Sequence, residues 1–141
     1  MPKPENAIWK FDKTIRSHVD AASAIVRQTV SQLNELGWSD KDAFGVHMAT
    51  EEALMNAVKH GNENDESKSV KVLLIISSDE FYARIEDEGS GFDPDNVPDP
   101  CDDCNLEKTS GRGVLLIKKF VDHVCYNEAG NVIEFRKRQT V

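Results

Sequence analysis

Residues 70–76, VKVLLII, constrain the fold more than any other stretch of the chain. They are almost continuously apolar and rich in β-branched side chains. That composition marks a central strand, with neighbours on both sides. Ser78, Asp79 and Glu80 read as a turn. Residues 81–87, FYARIED, then alternate apolar and polar, which predicts an antiparallel partner and so a hairpin. Two more segments can extend such a sheet. Residues 8–16, IWKFDKTIR, read as a short strand, and residues 124–127 and 132–137 flank a turn at Ala129, Gly130 and Asn131, a closing hairpin.

Two helices precede the central strand. Asp20 is expected to cap the first, with Ala21, Ile25, Val26, Val30, Leu33 and Leu36 as its buried stripe and Gly37 as its stop. Ser39 or Asp40 caps the second, which is expected to run to His60 with Gly61 in a left-handed terminal position. Residues 62–69, NENDESKS, hold no apolar side chain and read as a loop. A third helix is expected over residues 113–121. The order is β, α, α, β, β, long loop, α, β, β. It predicts an α+β fold, a two-layer α/β sandwich with a mixed, mostly antiparallel sheet and helices on one face.

Composition narrows the function classes. A chain of 141 residues is one domain by length, covering residues 1–141, and buries roughly two-thirds of its unfolded surface. The balance of 17 basic against 25 acidic residues, net −8, speaks against a nucleic-acid surface, where a basic stripe is expected. It leaves a nucleotide site open, since that needs only local donors and a metal. No run approaches the roughly 20 apolar residues of a membrane span, and the N-terminus lacks the apolar core of a secretory signal. The expectation is a cytoplasmic protein with no membrane partner. Three cysteines without an export signal are expected to be reduced thiols.

Three stretches carry chemistry. The first is residues 51–61, EEALMNAVKHG. On a helix Glu52, Asn56 and His60 are spaced i, i+4, i+8 along one face, beside the small Ala49, Ala53 and Ala57. A carboxamide oxygen suits Mg²⁺, which takes one or two protein ligands and fills the rest with water and phosphate oxygens. Glu52, one turn earlier, is placed to accept a proton from an attacking hydroxyl or water. A solvated helix face carrying polar residues has the same appearance.

The second stretch is residues 85–92, IEDEGSGF. Asp87 at a strand end, followed by Gly89 and Gly91, sets a carboxylate beside backbone that a flat ligand can approach. Such a carboxylate accepts from an exocyclic amine of the kind adenine presents. A turn with a solvated Asp reads the same way. The acidic spacing of an EF-hand loop is missing. The third stretch is Ser110, Gly111, Arg112 and Gly113 at the start of a helix. Free N–H groups and the positive end of the helix dipole make it an anion site, to which Arg112 adds a charge or from which it turns to solvent. The P-loop and Rossmann fingerprints are both absent. Between the second and third stretches, residues 88–110 are rich in Gly and Pro and show no periodicity, so they read as a functional loop. Cys101 and Cys104 sit there as a lone C-x-x-C pair, with no second pair to complete a tetrahedral zinc site.

Taken in order, E-x-x-x-N-A-x-x-H-G, D-x-G-x-G-F and G-x-G on a helix resemble the histidine-kinase-like ATPase superfamily, the GHKL or Bergerat fold. The EALMNAVKHG wording and GRGVLLIKKFVDHV look most like the anti-sigma-factor serine/threonine kinases. The resemblance covers nearly the whole chain. It implies ATP and Mg²⁺, with Asn56 as metal ligand and Glu52 as general base. It implies that Asp87 binds the adenine amine, with Gly89, Gly91 and Phe92 lining the pocket. Residues 93–110 would form an ATP lid, and Ser110, Gly111 and Gly113 would hold phosphates. Lys59 matches a basic position near phosphate, and His60 fits as a packing or orienting residue. Kinases of the family often carry Arg just before the Ser-Gly of the third motif. This chain has Glu107-Lys108-Thr109-Ser110, so Lys108 or Arg112 would substitute. The implied partners are an anti-sigma-factor antagonist phosphorylated on Ser, a sigma factor, and a second copy of the chain. A catalytically silent, nucleotide-binding and partner-binding regulator is the alternative.

Overall fold

The computed structural model describes residues 2–89 and 112–140. Its elements are β1 (Trp9–Arg16), α1 (Val19–Glu35), α2 (Asp40–Asn56), a π-helical turn (Ala57–Gly61), β2 (Ser69–Ile76), β3 (Glu80–Glu86), α3 (Arg112–Phe120), β4 (His123–Tyr126) and β5 (Val132–Arg138). The strands form one sheet in the order β1-β2-β3-β5-β4. Each neighbouring pair is antiparallel. The α+β architecture expected from the sequence is present.

β2 sits between β1 and β3, and its apolar run follows from that place. Val70, Val72, Leu74 and Ile76 join the main core with Val26, Leu33, Leu54 and Val58 from the helices. Leu73 and Ile75 point to the opposite face, where they pack with Tyr82. From Val72 to Ile76 both faces of the strand are therefore dry, which strict alternation would not achieve, while Lys71 near its start is exposed. On β3 the register sets Phe81 against Ile76 and Ala83 against Leu74, so the helix-facing apolar rows coincide. The Tyr82 hydroxyl donates to Glu134, and burial together with that carboxylate pushes its pKa far above the ordinary phenol value.

α1 starts differently from the expectation. His18, not Asp20, is the N-cap: its backbone is extended and its Nδ1 accepts from the Asp20 N–H at 3.0 Å. Asp20 falls in the first turn, where a carboxylate suits the helix dipole. The buried stripe is Ala22, Ile25, Val26, Thr29 and Leu33, while Leu36 is exposed. Gly37, with φ 81°, ends the helix as expected. Ser39 caps α2, accepting from the Asp42 N–H at 3.2 Å.

Asp42 also pins the start of α2 to the end of the chain. Its carboxylate accepts from the Thr140 N–H at 2.8 Å and from the Thr140 hydroxyl, with the Lys137 ammonium at 3.2 Å. Asp42 is fully buried. Burial pushes its pKa up, but the two Thr140 bonds and Lys137 outweigh that and hold it below the usual value. Cys125 on β4 is disulfide-bonded, which corrects the expectation of three reduced thiols; Cys101 and Cys104 lie outside the described residues. No helix among the described residues is long and apolar enough to cross a membrane.

Candidate functional site

The site is built where α2 ends. Past Asn56 the helix widens into a π turn over Ala57–Gly61, closed by a bond from the Asn62 N–H to the Ala57 carbonyl at 2.8 Å. Single π turns of this kind recur at functional sites, because they redirect side chains without ending the helix. Glu52 and Asn56 lie within α2 and keep their i, i+4 alignment. His60 falls in the π turn, so the single-face alignment expected for it is lost. Both His60 and Lys59 are exposed.

Gly61 is not in the left-handed conformation expected of it. Among the described glycines only Gly37 and Gly130 have positive φ. Its lack of a side chain serves a different purpose. A Cβ at Gly61 would overlap the carboxylate of Asp87, with even the farther oxygen only 2.7 Å away. A Cβ at Gly89 would overlap the Gly61 carbonyl and come within 2.9 Å of Asp87 Oδ1. The two glycines thus hold the end of the first motif against the carboxylate of the second.

Asp87 follows β3 and is fixed through its backbone. Its N–H donates to the Asn131 carbonyl at 3.0 Å, and Asn131 Nδ2 donates back to its carbonyl at 3.3 Å. Its Oδ1 accepts from the Gly89 N–H at 2.8 Å. Burial raises its pKa, and the charge of Glu86 adds to this against the pull of the Gly89 N–H and Lys68. A desolvated carboxylate in glycine-lined surroundings is what recognition of a hydrogen-bond donor requires.

Asn56 supplies the second polar feature. Its Nδ2 is buried and has no hydrogen-bond partner among the described residues. A carboxamide left unpaired in this way costs stability, and its oxygen and nitrogen exchange places by a simple flip. No cluster of three or more His, Cys, Asp or Glu among the described residues has metal-holding geometry. A cation here would therefore rest on Asn56, oxygens of the ligand and water. That donor set suits Mg²⁺ with a bound phosphate.

Sequence reasoning missed one residue altogether. Asn62, read as loop, is fully buried. Its Nδ2 donates to Ser17 Oγ at 3.0 Å and to the Ser69 carbonyl at 3.0 Å, while its Oδ1 accepts from the Glu88 N–H at 2.7 Å. The structure therefore joins Gly61, Asp87 and Gly89. Arg112 and Gly113 open α3, which packs against α2. The expectations for Gly91, Phe92, Lys108, Ser110, Gly111 and the lid at 93–110 lie outside the described residues.

Comparison with known proteins bears on the family and the fold. The family described as histidine kinase-like ATPase domain matches residues 15–137. Serine-protein kinase RsbW of Listeria monocytogenes serovar 1/2a is 28% identical over 105 residues, 69% of this chain and 67% of that protein. Serine-protein kinase RsbW of Oceanobacillus iheyensis is 27% identical over 116 residues, 77% of this chain and 73% of that protein. Anti-sigma F factor of Clostridium perfringens strain SM101 is 34% identical over 104 residues, 72% of this chain and 69% of that protein. Among solved structures, the RsbU and RsbW domains of a Mycobacterium tuberculosis protein align with TM-score 0.57 and 17% identity. That alignment takes in 98% of this chain but 32% of the larger one, and at such identity it concerns the fold alone.

Proposed function

The chain belongs to the histidine kinase-like ATPase domain family, and from that premise we propose that it binds ATP with Mg²⁺ and acts as an anti-sigma-factor-type regulator and protein serine/threonine kinase. Its target is an anti-sigma-factor antagonist, phosphorylated on Ser. The observation that carries the reading is the contact of Gly61 and Gly89 with the Asp87 carboxylate, which brings the helix of Glu52 and Asn56 to the adenine-recognising group.

The roles follow from the chemistry of each group. Asp87 accepts from the exocyclic amine of adenine, and Gly89 and Gly91 let the ring approach, with Phe92 against it. Asn56 would hold Mg²⁺, which would supply charge neutralisation at the phosphate oxygens. Glu52 takes the proton of the serine hydroxyl as its oxygen bonds to the γ-phosphorus and the bond to the β,γ-bridging oxygen breaks, releasing ADP. Lys59, Lys108, Ser110, Gly111, Arg112 and Gly113 hold phosphate oxygens, His60 orients the turn, and residues 93–110 close over the nucleotide. Residues 1–141 act as one ATP-binding domain in the cytoplasm.

Phosphorylation places about −2 charge on the antagonist and breaks its interface with the kinase by repulsion. The released regulator then sequesters a sigma factor, as a monomer or homodimer. The test is transfer of γ-labelled phosphate to Ser in a copurifying partner. Label on the partner's Ser supports kinase action; tight ATP binding with no transfer supports the silent regulator instead. That second reading is favoured by one feature, the absence of Arg ahead of Ser110.

A further inference from the structure

We infer that Asn62 is a positioning residue that sets the adenine selectivity of Asp87 by holding the Asp87–Gly89 turn against the end of α2. The inference rests on the proposed nucleotide site. It concerns a residue that touches none of the nucleotide groups assigned above.

Asn62 follows Gly61 directly, and three parts of the fold meet on its carboxamide. One hydrogen of Nδ2 goes to Ser17, just past β1, and the other to the Ser69 carbonyl at the start of β2. Its Oδ1 takes the Glu88 N–H, one residue beyond Asp87. The partners leave no ambiguity in the amide: two acceptors face the nitrogen and one donor faces the oxygen. The Asn62 backbone N–H closes the π turn as well. A second tie runs alongside, since the Glu88 carboxylate accepts from the Ser69 N–H and hydroxyl. The turn carrying Asp87 is therefore anchored through both the backbone and the side chain of Glu88. With the glycine contacts, this anchoring fixes how far the carboxylate stands from the helix.

A side chain this well bonded and fully buried also contributes stability, so unfolding alone would not separate the two roles. Selectivity does. Inosine triphosphate carries a carbonyl where adenine carries the amine. The ratio of its Kd to that of ATP reads the Asp87 hydrogen bond directly. In the wild type the ratio is expected at about 10 or more, as for a bond to a charged group. Asn62→Ala, which frees the turn, is expected to bring the ratio to about 3 or less in material that remains folded. Ser17→Ala removes one bond to Asn62 on the side away from Glu88. It is expected to lower the melting temperature and leave the ratio unchanged.

Amide exchange in the unaltered chain serves where Asn62→Ala does not fold. The Glu88 N–H should be protected at least about tenfold relative to the exposed Glu63, and further by ATP. A wild-type ratio near 1 contradicts the assignment of Asp87 itself. A high wild-type ratio that survives in folded Asn62→Ala, or a Glu88 amide exchanging like an exposed loop, overturns the role of Asn62 and leaves the nucleotide site standing.

Discussion

The backbone of Gly61 lies directly on the carboxylate of Asp87, closer than any side chain would allow. Gly61→Ala must therefore push apart the helix end and the turn after β3. The expected cost is about 1–3 kcal/mol of stability, typical of overpacking in a well-fitted site, together with loss of measurable ATP binding. Thermal unfolding and a nucleotide titration on the same preparation check both parts.

Asp87 titrates in the opposite sense from a paired carboxylate. Its folded pKa is raised, chiefly by burial. Its contribution to stability is thus fully present below the unfolded value, about 3.9, and is lost as pH rises through the folded value. Asp87→Asn is accordingly expected to be at least as stable as the wild type at neutral pH while binding ATP about 10- to 100-fold more weakly. ATP affinity of the wild type should fall on acidification from a higher pH than an ordinary carboxylate would give. Denaturation and binding curves across pH 4–8, a range extending about four units above the carboxylate reference, test both signs.

Glu52 and Asn56 separate chemistry from binding. Glu52→Gln keeps the shape and removes the base, so phosphate transfer should drop about 10²- to 10⁴-fold with ATP affinity little changed. Asn56→Ala should weaken binding in the presence of Mg²⁺ and have a smaller effect with the metal chelated. Single-turnover transfer and binding with and without chelator distinguish the two.

Much of this was legible in the chain, and the misses have physical causes. The β-branched run at residues 70–76 specified a central strand, because such a run has few other places to go. Asp87 and Gly89 stood out because glycines beside a strand-end carboxylate mark close approach. Gly61 was read as a left-handed terminus, the default for a glycine ending a helix. Its contact with Asp87 arises from pairing across 26 residues, as the Asn62 bond to Glu88 over the same separation shows, and local pattern cannot show that. Asn62 opens a run with the composition of a solvated loop, and burial there is a tertiary fact. No spacing rule pointed to it. His18 lost to Asp20 as the expected cap because Asp is the stronger capping residue in general. A β-like backbone at His18 decided otherwise.

Asp42 gives the fold its acid-sensitive latch. With its pKa held down, its contribution is present above about pH 3.9 and is lost as pH falls through the lower folded value. Asp42→Ala, which strands Lys137 and Thr140, is expected to cost about 2–4 kcal/mol and to remove that part of the acid dependence. Chemical denaturation of both proteins at neutral and acidic pH measures it.

Isothermal titration of the folded chain with ATP and Mg²⁺ bears most directly on the central claim, that the end of α2 and the turn at Asp87 form one nucleotide site. The expected result is saturable heat at one nucleotide per chain, shifted to about 10- to 100-fold weaker affinity in Asp87→Asn and diminished when the metal is chelated. A flat titration of wild-type protein with native circular dichroism, or undiminished affinity in Asp87→Asn, would contradict it.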